Sequence, residues 1–357
     1  MEGTLMSDGK PEAAPNLHDW APLTQDLAER RERALAMGGP ERVERQRSLG
    51  KLPVRERLER FVDAGTFVEY GQLADSMDPG LADKGYLAAD GCVTGIGEVD
   101  GRRVAICAYD FTVMAGSMGA VNEQKTSRMR ELALRQRIPV VWLLDSAGAR
   151  IMSSSGSTFA GVGQLFREQV TLSGVVPQVG GMLGHCAAGT AYIPALADFI
   201  PMVKGISSMA LAGRHLVKAA TGEDVTEEDM GGSTVHTKVS GVADLEVDSD
   251  DDCLDAIRTY LSFFPSHNQE APPVKECTDP VDRRVEDLYD IVPTAPRRAY
   301  DMHKVIHAVV DDGEFFPMKG AWARNIITGL ARMGGQPVGI VASQPMVLGG
   351  ALDVNAA

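Results

Sequence analysis

Ala147-Gly148-Ala149 and Ala188-Gly189 are small-residue turns, each placed at the end of an apolar run. The first run reads Ile138-Pro139-Val140-Val141-Trp142-Leu143-Leu144, and the second passes from Val175 through Met182 and Leu183 to Cys186. Side chains of this size cannot act as acids, bases or nucleophiles. The backbone N–H groups at the strand ends are then the only reagents on offer, and such groups bind oxyanions. Two turns converging from successive strands would form one oxyanion hole, and a reaction that needs little else is enolate formation beside a thioester carbonyl. The competing reading is that small residues at a strand-to-helix junction serve close packing alone. A second turn one strand away favours the oxyanion reading.

Commoner catalytic signatures fit less well. Gly95-Ile96-Gly97 lacks a third glycine and lies inside a hairpin pattern, which disfavours a dinucleotide site. Ala115-Gly116-Ser117-Met118-Gly119 approaches a nucleophile elbow, but alanine replaces the first glycine, so a backbone turn is the better reading. His303 and His307 share a helix face, yet Lys304 stands where a zinc protease needs glutamate; they read as ordinary helix histidines, and no metal site is expected. Asp145 ends a strand and reads equally as a catalytic carboxylate or as a turn cap.

The elements that must position these turns follow from periodicity. Residues 25–37 and 40–46 read as Arg- and Glu-rich, solvated helices after a polar, disordered stretch at 1–24. Residues 93–108 form a β-hairpin turning at Asp100-Gly101. A helix is predicted over 120–136, a strand over 139–144, a helix near 160–173 and a strand over 176–183. A helix near 189–197 and a short strand over 199–203 complete an α/β layered domain spanning 25–264. A Pro-rich acidic linker covers 265–284, after which 285–357 starts a second pattern, with a helix near 322–330 and a strand over 337–342.

A chain of 357 residues with 44% hydrophobic content and no apolar tract of membrane-spanning length reads as soluble. The net charge of −14 argues against a nucleic-acid surface. Five cysteines without a CxxC pair, and a start without an export pattern, point to the cytoplasm.

Six stretches carry a family resemblance: Lys51-Leu52-Pro53-Val54-Arg55-Glu56-Arg57 with Asp63 to Glu69; Asp110 to Gly119; Asp145-Ser146-Ala147-Gly148-Ala149-Arg150-Ile151; Ser173-Gly174-Val175-Val176-Pro177-Gln178; Pro194 to Val203; and Val217 to Thr226. In their order and spacing the chain resembles the carboxyltransferase (β) subunits of biotin-dependent acyl-CoA carboxylases, of the propionyl-CoA and methylcrotonyl-CoA type. The resemblance implies a crotonase-like fold and transfer of carboxylate from carboxybiotin, carried on a partner protein, to the α-carbon of an acyl-CoA. It implies that N–H groups around Ala188 and Gly189, helped by Gly148 or Ala149, hold the thioester oxygen, each contributing ~3 kcal/mol. Lys125, Arg150, Ser146 and Ser117 become candidate coenzyme A contacts, with a structural ion pair the alternative for Arg150. Biotin carboxylase and biotin carboxyl carrier subunits, and a homo-oligomer of the family's hexameric kind, are the implied partners.

The sequence also departs from the family. Ala188-Gly189 replaces the usual Gly-Gly, and Met152-Ser153-Ser154-Ser155-Gly156 replaces a Gln-Glu-Gly segment at the pocket mouth. No cysteine ribbon precedes the domain, so the zinc-bearing bacterial acetyl-CoA carboxylase β subunit matches less well. Family members carry two crotonase-like domains, acyl-CoA on the first and biotin on the second of a neighbouring subunit, whereas here the second is only begun. The rival readings are a catalytically silent acyl-CoA-binding scaffold or truncated gene product, a biotin-dependent decarboxylase subunit, and a crotonase-type hydratase or isomerase, whose chemistry wants placed carboxylates.

Overall fold

The computed structural model describes residues 20–77, 79–150, 163–280, 282–295 and 297–357. Eight strands form the main sheet: β1 (Val68–Tyr70), β2 (Cys92–Val99), β3 (Arg102–Tyr109), β4 (Val140–Ser146), β5 (Gln178–Ala187), β6 (Pro201–Val203), β7 (Ser208–Ala210) and β8 (Leu245–Val247). They lie in the order β1-β2-β3-β4-β5-β6-β8, with β7 added beside the end of β5. The first three are antiparallel and the rest parallel. The predicted Asp100-Gly101 turn joins β2 to β3, with both residues at positive φ, 52° and 75°.

The parallel strands are buried on both faces, so their side chains alternate between two apolar layers. Cys107, Trp142, Leu144 and Met182 face the helices Ala120–Gln136 and Gln164–Leu172 through Met129, Leu165 and Leu172. Ile106, Val141, Leu143, Val179 and Leu183 face the helices Val54–Phe61 and Asp250–Leu261 through Leu58, Phe61, Leu254 and Ile257. Both faces of β5 carry a glycine near its start because neighbours press on it: a Cβ on Gly181 would stand 2.7 Å from Ile257, and one on Gly180 3.0 Å from Pro194.

The N-terminal helices run Ala21–Leu35 and Pro40–Ser48, and the second is less solvated than its charge suggests, because Val43 and Gln46 are buried. The predicted helix after β5 is a 3-10 turn, Ala188–Ala191, followed by a single α-turn, Tyr192–Ala195. Residues 1–19 of the predicted disordered stretch and the start of the helix before residue 163 lie outside the described residues, whereas 21–24, expected to be disordered, open the first helix. No helix among the described residues is long and apolar enough to cross a membrane.

After a stretch from 263 to 287 without helix or strand among the described residues, a helix (Met302–Val309) leads into an antiparallel sheet. This sheet holds β9 (Phe315–Met318), β10 (Ile326–Met333) and β11 (Gln336–Ser343) in the order β11-β10-β9. The helix expected near 322–330 is therefore a strand. Its Ile326-Ile327-Thr328 run is β-branched, and burial alternates at Ile327, Gly329 and Ala331 as a strand requires. Phe316 seats this sheet on the first domain, with ring centroids 5.6 Å from Phe199 and 6.1 Å from Phe263.

The second sheet repeats the first three strands in detail. Val62-Asp63-Ala64-Gly65-Thr66-Phe67 recurs as Val310-Asp311-Asp312-Gly313-Glu314-Phe315, each after a helix. The Asp63 carboxylate accepts the N–H groups of Asp100 and Gly101 at 3.2 and 2.8 Å, and Asp311 accepts those of Gly334 and Gly335 at 2.9 and 2.7 Å. Thr94 Oγ1 donates to the Tyr70 carbonyl at 2.8 Å, and Thr328 Oγ1 to that of Met318 at 2.7 Å. Both hairpins end in a left-handed turn, Met114-Ala115-Gly116 in one and Leu348-Gly349-Gly350 in the other.

Burial alone would raise the Asp311 carboxyl, but the Gly335 and Gly334 donors outweigh it and hold the group below the ordinary aspartate range. Its support is thus present above the unfolded value and is lost as pH falls through the folded one. Asp311→Ala should cost about 1 kcal/mol in chemical denaturation at neutral pH and raise hydrogen exchange at Gly334 and Gly335. Unchanged exchange there would show that the carboxylate does not hold the turn.

Candidate active site

The strands β4 and β5 stay in register up to Leu144 opposite Met182, and the next pair is Ser146 opposite Cys186. From one pair to the next β4 advances two residues and β5 four, so β5 bulges through Leu183, Gly184 and His185. The Asp145 side chain enters the space this opens. A Cβ on Gly184 would stand 2.0 Å from Asp145 Oδ1, so only glycine fits.

Beyond the bulge the two turns meet. Gly148 has φ 97°, and a Cβ there would lie 2.5 Å from the Ala187 carbonyl oxygen and 3.2 Å from the Ala188 Cβ. A Cβ on Gly189 would lie 3.5 Å from that of Ala149. Ala188 itself takes φ 49°, the left-handed region, and so starts the 3-10 turn abruptly.

The first turn rests on the Met114-Ala115-Gly116 turn and on Met118. Ala147 N–H donates to the Ala115 carbonyl at 2.9 Å, Met118 N–H to that of Gly148 at 2.9 Å, and Arg150 N–H to that of Met118 at 2.8 Å. These bonds tie the neighbours of Ala149 to Met118 on one side. In an extended bridge the intervening residue then turns its own N–H to the other side, where Ala188 and Gly189 lie. The N–H of Gly148 is taken by Ser146 Oγ at 3.1 Å. Those of Ala149, Ala188 and Gly189 have no hydrogen-bond partner among the described residues, the last two because they open a helical turn.

Of the sequence-predicted residues, Ala149, Ala188 and Gly189 are brought together with free donors, while Gly148 contributes shape and Ser146 anchors it. Arg150 is buried in an ion pair, Nη1 to Asp90 Oδ1 at 2.7 Å, with further bonds from Nε and Nη2 to Ser117. Lys125 is buried too, its ammonium donating to the carbonyls of Ala89 and Cys92 at 2.9 and 2.5 Å, and burial pushes its pKa down. Both cations are thus enclosed by protein partners, and Ser117 is one of those that hold Arg150.

Asp145 is neither a cap nor a base facing the turns. Its oxygens accept from Lys51 Nζ at 2.7 Å, Gln46 Nε2 at 2.8 Å and Arg57 Nη1 at 3.2 Å, all buried. The Ala115-Gly116-Ser117 segment is a backbone turn, as expected. Cys186 beside the site is inert, its thiol pushed up to about 12 by burial. His303 and His307 contact Asp301 and the Gly313 carbonyl, as ordinary helix histidines do. No cluster of three metal-binding side chains occurs among the described residues. The Met152 to Gly156 departure lies outside the described residues.

Residues 45–357 match the family model for the carboxyl transferase domain. The chain belongs to the carboxyl transferase domain family. It is 43% identical over 332 residues to the propionyl-CoA carboxylase carboxyltransferase subunit of Haloferax mediterranei, covering 93% of this chain and 64% of that one. It is 43% identical over 331 residues to the methylmalonyl-CoA decarboxylase subunit alpha of Veillonella parvula, covering 92% and 65%. The chain thus spans slightly less than two thirds of these relatives' length. Among solved structures, the 12S transcarboxylase, a hexamer with methylmalonyl-CoA and methylmalonic acid bound, superposes with a TM-score of 0.90 at 39% identity, covering 96% of this chain and 66% of that one. The crotonase-like fold expected from the sequence is the fold of these carboxyltransferases.

Within this carboxyl transferase domain the glycine at 148 should be irreplaceable. Gly148→Ala forces a side chain into the left-handed region and onto the Ala187 carbonyl, at a cost on the order of 1–3 kcal/mol. Thermal denaturation measures the loss, and wild-type stability would show that the turns are not in contact.

Proposed function

We propose that the chain carries the acyl-CoA half of a biotin-dependent carboxyl transfer. The observation that carries this reading is the convergence of the Ala149, Ala188 and Gly189 N–H groups where two strand ends touch. Donors fixed at the position of a developing enolate oxygen act without reorganising, which favours the transition state over the ground state. Asp145, two residues before the first turn, is engaged by three donors, so the turns supply charge stabilisation and Asp145 no free base. Carboxybiotin, carried on a partner protein, would supply the carboxylate and, through its ureido nitrogen, the base. Ala149 and Ala188 place methyl groups beside the donors, where they exclude water and bound the acyl chain.

The names of the relatives support the substrate class. Methylmalonyl-CoA is propionyl-CoA carboxylated at its α-carbon, so carboxylase, decarboxylase and transcarboxylase relatives describe the two sides of one half-reaction. Biotin carboxylase and carrier subunits, a hexameric assembly and a cytoplasmic setting belong to the same proposal.

Isothermal titration with acetyl-, propionyl- and longer acyl-CoAs should show saturable binding with propionyl-CoA among the ligands. No heat with any of them, from folded protein, would overturn the reading. Gly189→Pro deletes one donor and fixes φ. In the full assembly it should lower turnover on the order of 10²-fold while acyl-CoA affinity changes little. Wild-type turnover would make the turn structural, and binding without transfer in the unmodified assembly would favour the scaffold.

A further inference from the structure

Lys51 lies outside every segment that forms the two turns, yet its ammonium touches all three that carry them. It donates to Asp145 Oδ1 at 2.7 Å at the end of β4. It stands 4.6 Å from the centroid of the Phe111 ring, just before the Met114-Ala115-Gly116 turn that supports Ala147. A Cβ on Gly184, in the bulge of β5, would be 2.7 Å from it. Phe111 in turn lies 6.3 Å from the His185 ring on the bulge. Arg57 completes the joint from the next helix, binding Asp145 Oδ2 through Nη1 and the bulged Leu183 carbonyl through Nη2 at 2.9 Å.

The bulge decides how far β5 reaches beyond β4. It displaces the Ala188 and Gly189 donors relative to Ala149, and removing it would slide one set of N–H groups past the other by the length of the extra residues. A bulge leaves backbone groups unpaired, and here the Leu183 carbonyl is satisfied by Arg57 rather than by a strand neighbour. The carboxylate that fills the bulge is itself uncompensated unless Lys51 and Arg57 are present.

We propose that Lys51, acting through Asp145 and seconded by Arg57, is the positioning residue of the oxyanion site, setting the stagger between the 147–149 and 187–189 turns. Lys51 does not touch the substrate. Its role is to keep the bulge in β5 and the platform under Ala147 in one arrangement, so that three N–H groups from two turns face one oxygen. The assignment of a role in turnover rests on the carboxyl-transfer reading above; the assignment of stagger does not.

Lys51→Met keeps the stem and removes the charge. In the full assembly it should lower turnover by at least about tenfold while the dissociation constant for acyl-CoA, read by titration, stays within about twofold. Hydrogen exchange should accelerate in 145–149 and 183–189 and remain unchanged in the helix Gln164–Leu172, a selectivity that a merely structural residue would not show. Lys51→Arg should restore most of both effects. If Lys51→Met fails to fold, Gln46→Leu removes one Asp145 donor, leaves both cations and should shift the same two exchange segments. Unchanged exchange in those segments in the folded variant overturns the proposal, as does a loss confined to acyl-CoA affinity. Should the unmodified assembly transfer no carboxylate, the functional reading falls, and the exchange pattern alone decides whether Lys51 sets the stagger.

Discussion

Four charges buried in one place hold the N-terminal helices, β4, β5 and the helix Asp250–Leu261 to each other: Lys51, Arg57, Asp145 and Asp250. Removing such groups from water is costly, and the cost is met only where each charge has a partner of opposite sign and its remaining donors and acceptors are satisfied. The two cations respond differently. Burial pulls the Lys51 pKa down, against the opposing pull of Asp145, whereas for Arg57 Asp145 and Asp250 together outweigh burial and leave it raised. Satisfaction is close to complete. Arg57 spreads over both carboxylates and the Leu183 carbonyl, and Asp250 Oδ2 also takes the Leu52 N–H, leaving Asp250 Oδ1 as the one buried oxygen of the cluster without a partner. An apolar core of the same volume would stabilise at least as well. What hydrophobic packing could not do is fill a strand bulge with a group that fits beside only one residue type, glycine.

The same logic explains why the repeat is close in one part of the molecule and loose in another. The helix, the Asp-x-Gly-x-Phe segment, the three strands and the left-handed turn recur with the same hydrogen bonds, because each is a local solution to turn and register geometry. Gly95 and Gly329 both lie against the tip of a phenylalanine ring, Phe67 and Phe315, which leaves no room for a Cβ. The charge cluster has no counterpart on the second sheet among the described residues. Counting back from the matched Val62 and Val310, Arg57 corresponds to Val305 and Lys51 to Ala299. In the first unit β3 continues into the parallel strands through β4, whereas Val341 on β11 is 77% exposed.

Local geometry was also what the sequence made legible. The Asp100-Gly101 hairpin, the 120–136 helix and the strands now assigned as β4 and β11 follow from turn chemistry and periodicity, within a residue or two. The strand β5 runs to Ala187, four residues past its expected end, because Gly180, Gly181 and Gly184 remove the alternation that marks a strand. Their presence was the signal of a bulge and of close neighbours. At the site, the two turns were visible as small residues after apolar runs, but the platform and the cluster were not. Gln46 ends a segment that reads as solvated, Lys51 and Arg57 stand out only through the family resemblance, and the partners that bury them lie in β4 and at 250. Nothing local distinguishes a lysine whose carboxylate is 94 residues away. Arg150 and Lys125 illustrate the converse: a cation beside a predicted anion site invites a ligand role, and only the fold reveals Asp90 and two carbonyls as its partners.

Backbone strain gathers where these partners converge. Met114, Ala115 and Ala188 take positive φ without being glycine, and so do Ala89 and Asp90 behind Arg150. Each such residue costs of order 1 kcal/mol and persists only where its surroundings over-determine it. For Met114 and Ala115 the surroundings are the Ala147 N–H on one side and the Asp145 carbonyl against Gly116 on the other. For Asp90 they are the Arg150 guanidinium and the Asn122 N–H. For Ala188 they are the close approach of Gly148, where any Cβ would meet the Ala187 carbonyl, and the Thr190 hydroxyl bound to that carbonyl at 2.9 Å. The strain in the second turn is therefore carried by its contact with the first. A pair of turns that hold each other in an unfavourable conformation cannot relax separately, and their N–H groups are fixed before any ligand arrives, which is the condition under which backbone donors stabilise a transient oxyanion.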